Sequence, residues 1–287
     1  MTFTTRFAPS PTGPLHLGHA FSALRAADLA RAANGRFLLR IEDIDQSRAR
    51  PHWEHQIYDD LAWLGLTWER PVLRQSERLP AYRAALTRLW ALGLIYPCTC
   101  SRRDIAAAAS APQEGVLPAF GPDGLIYPRT CAHVPNPASP LPNAVLRLNM
   151  ARALRSLPDP LGFTETGKGP NGETGQITLS HAMLRSDVGD VILARTGLGA
   201  SYHLAVVVDD AAQAVSLVPR GQDLFTATAI HLVLQKLLGL PTPAYHHHRL
   251  IRDEKGKRLA KRDDARAIAL YRAEGKTPAD IREMVGL

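Results

Sequence analysis

The chain has 287 residues, enough for one large domain or two ordinary ones. Hydrophobic residues make up 45% of it and charged residues 21%, which excludes a long disordered chain, and no apolar run approaches the roughly 20 residues of a membrane helix. The net charge of +7, from 34 Lys and Arg against 27 Asp and Glu, allows an anionic partner such as RNA or a nucleotide without requiring one.

The first third of the chain predicts a βαβ unit. Phe3–Ala8 is predicted as a strand, AFSALRAADLARAAN as a helix and Arg36–Asp43 as a second strand, apolar enough to be buried in a parallel sheet. Two more helices are predicted at His52–Leu64 and Pro80–Leu92. The N-terminal residues lack a basic region followed by an apolar stretch, so no secretory signal is predicted and a cytoplasmic location is expected.

From Tyr96 the composition changes to an alanine run and scattered prolines, which indicates an inserted module with irregular connections. Three strands, an apolar helix and a basic, mostly helical end are predicted in the rest of the chain: AVLRLNM, Gly189–Arg195, Tyr202–Val208, Ile230–Leu238 and the segment from His246 onward. The run His246-His247-His248 is assigned a structural or basic-face role, because consecutive side chains point in divergent directions.

The segment FAPSPTGPLHLGHA (Phe7–Ala20) follows the first predicted strand, where parallel sheets bind ligands. Its prolines fix the loop, and Gly13 and Gly18 permit a close approach of the backbone to a ligand. His16 and His19 are three residues apart, so one helical turn can direct both imidazoles at a single anion. A surface turn with incidental histidines is the alternative, but the segment as a unit favours a nucleotide site.

This segment resembles the first signature of the class I aminoacyl-tRNA synthetases in its glutamate-type form. The resemblance extends over nearly the whole chain through RIEDID (Arg40–Asp45), YHLAVVVDD, VPRGQDL and KGKRLAKR (Lys255–Arg262). It implies an α/β fold with a Rossmann-type parallel sheet, an inserted zinc-knuckle or acceptor-like module and a short helical C-terminal segment. The implied domains are the first Rossmann half at 1–96, the inserted module at 97–188, the second Rossmann half at 189–245, and the lysine loop with the helical segment at 246–287.

A glutamate substrate carries two carboxylates and one ammonium group, so its site needs arginine and one acid. The resemblance implies that glutamate binds to six residues: Arg6, Ala8, Ser10, Glu42, Tyr202 and Arg220. Either arginine can hold a carboxylate in a bidentate fork, and which one holds which carboxylate stays open. Surface ion pairs for the arginines, and a place at the edge of the core for the tyrosine, are the alternatives.

ATP is expected at His16, Gly18, His19 and Lys261, with the two histidines and the lysine as catalytic residues and Mg²⁺ bound with the nucleotide. The lysine loop departs from the family pattern, which is close to Lys-Leu-Ser-Lys, because here it is Arg258-Leu259-Ala260-Lys261. The retained lysine can follow the α-phosphate as negative charge grows there. A solvated basic surface is the alternative for this run.

The odd number of cysteines argues against a disulfide framework and favours reduced thiols or metal ligands. The pattern CxC … YxxxC resembles the zinc knuckle of a short glutamate-type paralogue and implies one structural Zn²⁺ per chain, bound by Cys98, Cys100, Tyr127 and Cys131. A phenolate is an unusual zinc ligand, and His133 is an alternative fourth ligand. Three reduced cysteines without a metal are the other alternative.

The printed sequence ends at Leu287, soon after Lys261, which leaves little chain for the anticodon-binding region of a full glutamate enzyme. The resemblance is therefore closest to the short paralogue, and it implies activation of L-glutamate by ATP without tRNA, followed by transfer to the queuosine base of tRNA(Asp). The expected partners are ATP, L-glutamate and queuosine-containing tRNA(Asp), with no membrane, and the chain is expected to act as a monomer. Two alternatives stay open: a stand-alone core that charges a tRNA 3′ end, and a non-catalytic pseudo-synthetase that binds RNA or protein.

Overall fold

A computed structural model describes residues 2–109, 119–132, 136–197, 199–252 and 266–287. The helices are α1 (Leu17–Ala32), α2 (Pro51–Trp63), α3 (Leu79–Ala91), α4 (Arg102–Ala109), α5 (Met150–Ala153), α6 (His181–Met183), α7 (Tyr202–Ala212), α8 (Thr228–Leu238), α9 (Ile268–Ala273) and α10 (Pro278–Val285). The strands are β1 (Thr4–Phe7), β2 (Arg36–Ile41), β3 (Leu73–Arg74), β4 (Ile95–Pro97), β5 (Phe120–Gly121), β6 (Gly124–Leu125), β7 (Leu146–Leu148), β8 (Leu161–Glu165), β9 (Gly175–Leu179), β10 (Ile192–Ala194), β11 (Leu217–Gly221) and β12 (Ala244–His248).

Two sheets form the α/β body. The first is parallel and has the order β1-β2-β3, and the second has the order β11-β12-β8-β9, with only β9 antiparallel to its neighbour. The backbone N–H of Ser216 donates to the carbonyl of Thr4 at 3.0 Å, which brings β1 alongside β11. The carboxyl ends of parallel strands from both sheets therefore meet at one edge, where α/β folds bind their ligands.

Helices cover both sheets. Helix α1 lies against β1 and β2 with small buried side chains such as Ala20 and Ala23, and α10 packs on it through Ile281 and Val285. Helices α3, α7 and α8 pack together over the second sheet in the larger core. Burial of each large aliphatic side chain contributes about 1.5–3 kcal/mol. No helix in the described ranges is both long enough and apolar enough to cross a bilayer.

A second kind of sheet joins the expected insert to the segments that flank it. Strands β10, β7 and β4 pair antiparallel in that order, and β5 and β6 form a hairpin beside them. Strands β8 and β9 fall within residues 97–188, which were expected to form the insert, but they pair with the second sheet of the body.

The prediction of a strand at Tyr202–Val208 is wrong, because these residues begin helix α7. Ser201 caps the helix, with its hydroxyl accepting the N–H of Leu204 at 3.5 Å. Most side chains of α7 are buried, including His203, Asp209 and Asp210. A helix buried on nearly every side shows no amphipathic period, so its β-branched valines resemble a buried strand.

The prediction of a mostly helical end from His246 onward is wrong at its start, because His246, His247 and His248 belong to the parallel strand β12. All three histidines are buried, so the basic-face alternative is also wrong for them. Helices α9 and α10 follow nearer the C-terminus. The predicted lysine loop, with Arg258, Ala260 and Lys261, lies outside the described residues.

The candidate active site and the cysteine cluster

The two histidines of the opening segment form the N-terminal cap of α1. The Nδ1 atom of His16 accepts the N–H of Gly18 at 3.1 Å, and the N–H of His16 donates to Nδ1 of His19 at 3.1 Å. Because both Nδ1 atoms are acceptors, each neutral ring carries its proton on Nε2. The capping box therefore selects the same tautomer in two rings whose centroids are 3.7 Å apart.

Gly18 has a steric reason for being glycine. A Cβ atom at this position would lie 3.0 Å from Cε1 and 3.1 Å from Nδ1 of His16. The imidazole of His16 thus rests against the bare backbone of the first helical turn. This turn also presents the positive end of a 16-residue helix, which favours a negatively charged ligand.

A cavity of about 250 Å³ opens where the two sheets meet. Most residues predicted for glutamate and ATP line it: Arg6, Ala8, His16, Gly18, His19, Glu42, Tyr202 and Arg220. Ser10 lies in the loop after β1 but is not among the lining residues, and Lys261 lies outside the described residues. The structure also places Asp223 and His248 on the wall of this cavity.

A buried ion-pair network supports one wall of the cavity. Asp210 accepts from Nε of Arg6 at 3.0 Å and from a terminal nitrogen of Arg40 at 2.7 Å, and Arg40 also contacts Glu42 at 3.3 Å. Burial opposes ionisation of Asp210, but the two arginines outweigh it and hold its pKa below the usual value. Burial dominates at Glu42 and raises its pKa, although Arg40 and Arg6 oppose the shift.

Arg220 on β11 is held at three points. Its Nε donates to Nε2 of His247 at 3.0 Å, one terminal nitrogen contacts Nδ1 of His231 at 3.0 Å, and the other donates to the hydroxyl of Thr228 at 2.6 Å. These contacts use three of the five N–H groups of Arg220 within the described part of the chain. A rigidly held guanidinium on a cavity wall is suited to bidentate binding of a carboxylate.

Sequence reasoning missed the residues that position these arginines. Arg40 and Asp210 stood in the motifs RIEDID and YHLAVVVDD, but no role was predicted for either, and both are buried, with Asp210 7% exposed. His231 stands in no local motif, and His247 stood only in the histidine run that was assigned a structural or basic-face role. If α7 had been predicted as a buried helix, its acidic residues would have indicated basic partners elsewhere in the chain.

The three cysteines converge in a small satellite core of the inserted module. Their sulfur atoms lie within 4.8 Å of one another, and the Tyr127 hydroxyl lies 3.4 Å from Sγ of Cys98 and 3.3 Å from Sγ of Cys100. The hydrogen bond from Cys100, followed by contacts with Thr99, lowers the pKa of the Cys131 thiol to about 6. Three close sulfurs with one oxygen are a donor set that can bind a metal ion. His133 lies outside the described residues.

Arg147 on β7 supplies positive charge beside this cluster. Its Nε donates to Sγ of Cys98 at 3.3 Å, and its guanidinium carbon lies 3.8 Å from the centre of the Tyr127 ring. The side chain is buried, with 6% of the residue exposed. A buried cation is thus in direct contact with one thiol and one aromatic ring of the cluster.

Comparison with known proteins identifies the class. Residues 2–115 and 173–287 match the family described as tRNA synthetases class I (E and Q), catalytic domain, and the chain belongs to this family. It is therefore an enzyme of the ligase type, with a class I catalytic fold.

Two curated relatives carry a more particular name. The chain is 62% identical over 285 residues to the glutamyl-Q tRNA(Asp) synthetase of Rhodobacter capsulatus, covering 99% of both chains. It is 42% identical over 282 residues to the protein of the same name from Nocardia farcinica, covering 96% of this chain and 81% of the relative. These names support an activity like that of a glutamate–tRNA ligase.

Solved structures agree on the fold. A glutamate tRNA ligase from Elizabethkingia meningosepticum, in complex with its amino acid, is similar with a TM-score of 0.75 and 25% identity over 99% of this chain and 60% of that one. A glutamate-tRNA synthetase from Elizabethkingia anophelis has a TM-score of 0.76 at 24% identity, over 99% of this chain and 61% of that one. The chain thus spans about 60% of the length of these two structures.

Proposed function

We propose that this protein activates L-glutamate with ATP in the absence of tRNA and then transfers the glutamyl group to the queuosine base in the anticodon of tRNA(Asp). The observation that carries the proposal is the 62% identity, over 99% of both chains, to a relative named glutamyl-Q tRNA(Asp) synthetase. A relative this similar over its full length supports the same substrates.

The charges of the cavity complement glutamate. Arg6 and Arg220 offer guanidinium groups for two carboxylates, and Glu42 offers a carboxylate for the ammonium group. Tyr202 lines the same space and is proposed to hydrogen-bond the substrate. The ammonium group of bound glutamate would replace the water that Glu42 loses on burial and would lower its raised pKa.

The histidine cap supports a role in adenylate formation. A glutamate α-carboxylate oxygen attacks the α-phosphorus of ATP, and the bond to the bridging oxygen breaks as pyrophosphate leaves with its electron pair. The Nε2–H groups of His16 and His19 would donate to the phosphates, and the N-terminus of α1 would add its positive potential. Mg²⁺ bound with ATP would offset negative charge on the phosphates. Lys261 is proposed to complete this cage on sequence grounds.

In the proposed second step, a hydroxyl of the queuosine diol attacks the carbonyl carbon of the glutamyl-adenylate. An ester bond forms, the hydroxyl loses its proton, and AMP leaves. No protein nucleophile is needed, so catalysis consists of positioning and charge stabilisation. Each chain carries all of the proposed glutamate and ATP residues, which supports a monomer as the active form. ATP and tRNA are cytoplasmic substrates, which supports that location.

We also propose that the cysteine cluster binds one structural Zn²⁺ through Cys98, Cys100, Cys131 and Tyr127. Three sulfurs and a phenol oxygen suit a closed tetrahedral site, and bound zinc would hold the ends of the knuckle together. Arg147 would offset the negative charge of three thiolates and a phenolate around one divalent ion.

The first experiment is glutamate-dependent exchange of pyrophosphate into ATP without tRNA, compared for glutamate, glutamine and aspartate. We expect exchange with glutamate and none with glutamine or aspartate. Transfer is then measured on tRNA(Asp) with and without queuosine, and only the queuosine-containing tRNA should accept glutamate. Equal charging of both tRNAs would instead indicate a core that charges the 3′ end, and absence of exchange would indicate a non-catalytic protein.

The zinc proposal is tested by metal analysis of protein that has never met a chelator. One zinc per chain is expected, and Cys131→Ser should lose it. Tyr127→Phe should bind zinc more weakly, with Tyr58→Phe, a tyrosine of α2, as the matched control. Zinc binding unchanged in Tyr127→Phe would assign the fourth position to His133 or water, and an absence of zinc would exclude the site.

A further inference from the structure

The contacts around Arg220 continue past its immediate partners into the inserted module. His231 on α8 lies with Nε2 3.1 Å from Nδ1 of His203 on α7, and Nε2 of His203 lies 3.5 Å from a carboxylate oxygen of Asp123. Asp123 occupies the turn between β5 and β6. A line of polar contacts therefore joins a wall of the substrate cavity to a hairpin of the insert.

We propose that Asp123 is a positioning residue for Arg220 and acts on it through His203 and His231. The inference rests on the proposed function, because it takes Arg220 as a ligand of the substrate carboxylate. It adds that the affinity for glutamate depends on docking of the β5–β6 hairpin of the inserted module.

Donor and acceptor chemistry gives the line one direction. A guanidinium only donates, so Nδ1 of His231 accepts from Arg220 and its proton resides on Nε2. That N–H donates to Nδ1 of His203, whose own proton then resides on Nε2 and points to Asp123. The line ends on a carboxylate, which can only accept, so each contact fixes the tautomer of the next ring.

The surroundings keep His231 neutral. Burial and the positive charge of Arg220 lower the pKa of His231 well below its usual value, so the ring stays an acceptor toward Arg220. At Asp123 burial favours the neutral acid, but the contact with His203 outweighs it and lowers the pKa. Arg195 also favours the ionised form of Asp123.

A second line on the other side of Arg220 has the same design. The ring of His247 accepts from Nε of Arg220 and donates from Nδ1 to Glu165 at 2.5 Å. Glu165 also accepts the backbone N–H of His247 at 2.9 Å. Both members lie in the second sheet, in β12 and β8, so this line is internal to the body. Only the His231 line leaves the body, and it does so at Asp123.

The hairpin itself is docked closely enough to hold Asp123 in place. The second carboxylate oxygen of Asp123 accepts the N–H of Ile192 on β10 at 3.5 Å. A Cβ atom at Gly121 would lie 2.3 Å from the carbonyl oxygen of Asp187, which shows how closely the hairpin approaches the segment before β10. Loss of the carboxylate would leave the Nε2–H of His203 without its acceptor, so His203 and His231 would be held less firmly against Arg220.

The experiment compares Asp123→Asn with the parent enzyme in glutamate-dependent pyrophosphate exchange. The KM for glutamate should rise about two- to tenfold, as expected for loss of one hydrogen-bond contact, while kcat and the KM for ATP change less. Asp187→Asn is the matched control, because the side chain of Asp187 bonds to Ser186 and lies outside the line. Asp123→Glu keeps the charge and should recover part of the affinity.

Coupling separates positioning from a general loss of structure. In a double-mutant cycle, Asp123→Asn combined with His203→Gln should raise the glutamate KM no more than the worse single variant. Additive effects, or an unchanged KM in Asp123→Asn, would overturn the proposal.

A spectroscopic readout makes this test independent of activity. Long-range ¹H–¹⁵N correlation spectra of histidine-labelled protein should show His231 and His203 with the proton on Nε2 and His247 with the proton on Nδ1. Asp123→Asn should shift the signals of His203 and His231 and leave His247 unchanged. A parent protein without glutamate-dependent exchange would refute the proposed function. Unchanged histidine spectra in Asp123→Asn would refute the positioning role of Asp123.

Discussion

The substrate cavity and the cysteine cluster are assembled in opposite ways. The cluster takes its donors from two short motifs, Cys98-Thr99-Cys100 and Tyr127 to Cys131, within one small satellite core. The cavity takes its lining side chains from β1, the end of β2, α7 and β11, and the ion pair that supports its wall joins Arg6 to Asp210, 204 residues apart.

This difference separates two sources of stability. In the cluster, soft sulfur donors lie close enough for one metal ion to hold them together. In the cavity, buried charges neutralise one another through direct ion pairs, so each group depends on a partner from a distant part of the chain. Substitutions in the ion-pair network of the cavity should therefore weaken both the fold and substrate binding. Substitutions in the cluster should affect metal binding alone.

The largest effect is expected at the centre of the cavity network. Asp210→Asn leaves the buried Arg6 and Arg40 without their shared carboxylate, so the free energy of unfolding should fall by about 3–5 kcal/mol. Urea unfolding measures it. Asp28→Asn is the control, because Asp28 pairs with Arg282 near the surface, with 27% and 31% of the two side chains exposed. This ion pair should contribute at most about 1 kcal/mol. Equal losses in the two variants would show that the network does not hold the body together.

A second prediction asks whether the cavity is completed by Lys261. Lys261→Ala should slow glutamyl-adenylate formation by about two to three orders of magnitude, because the lysine would act on charge that develops in the transition state. ATP affinity should change much less. Single-turnover adenylate formation over a range of ATP concentrations separates the two effects, with the exposed Lys236 changed to alanine as the control. Adenylate formation at the parental rate would exclude a catalytic role for Lys261.

The amino-acid half of the cavity should respond more selectively. Arg6→Ala and Glu42→Ala each remove one partner of a proposed charge-assisted contact with glutamate, so the KM for glutamate should rise about ten- to hundredfold. The KM for ATP should move far less in steady-state exchange. Arg36→Ala is the control, because Arg36 lies on the same sheet and its ion pair with Glu69 is exposed. A defect confined to ATP would show that the amino-acid pocket lies elsewhere.

The smallest effect is expected beside the cluster. Arg147→Met keeps the length of the side chain but removes the charge next to Cys98 and Tyr127, so zinc affinity should fall by about tenfold. Competition with a chromogenic chelator measures it, and the exposed Arg155→Met is the control. An unchanged zinc affinity would mean that the buried arginine serves packing alone.

Much of this molecule could be predicted from local patterns. The βαβ start, the helices near residues 52–64 and 80–92 and the apolar helix that ends at Leu238 are confirmed within one to three residues. The convergence of Cys98, Cys100, Cys131 and Tyr127 was also expected, but from the resemblance, because the two halves of the cluster are about 30 residues apart. The predicted helices and strands depend instead on residues within a few turns of each other.

The sequence by itself determined the opening βαβ unit and the helices near residues 52–64 and 80–92, since their periodic patterns follow from nearby residues. Only the tertiary structure decided that Tyr202–Val208 is a helix and that His246 to His248 form a strand, because burial on all sides removes the periodic signal. It also decided which carboxylate neutralises Arg6 and which histidines hold Arg220. Partners of buried charges are selected by proximity in the folded chain, and no local pattern encodes that proximity.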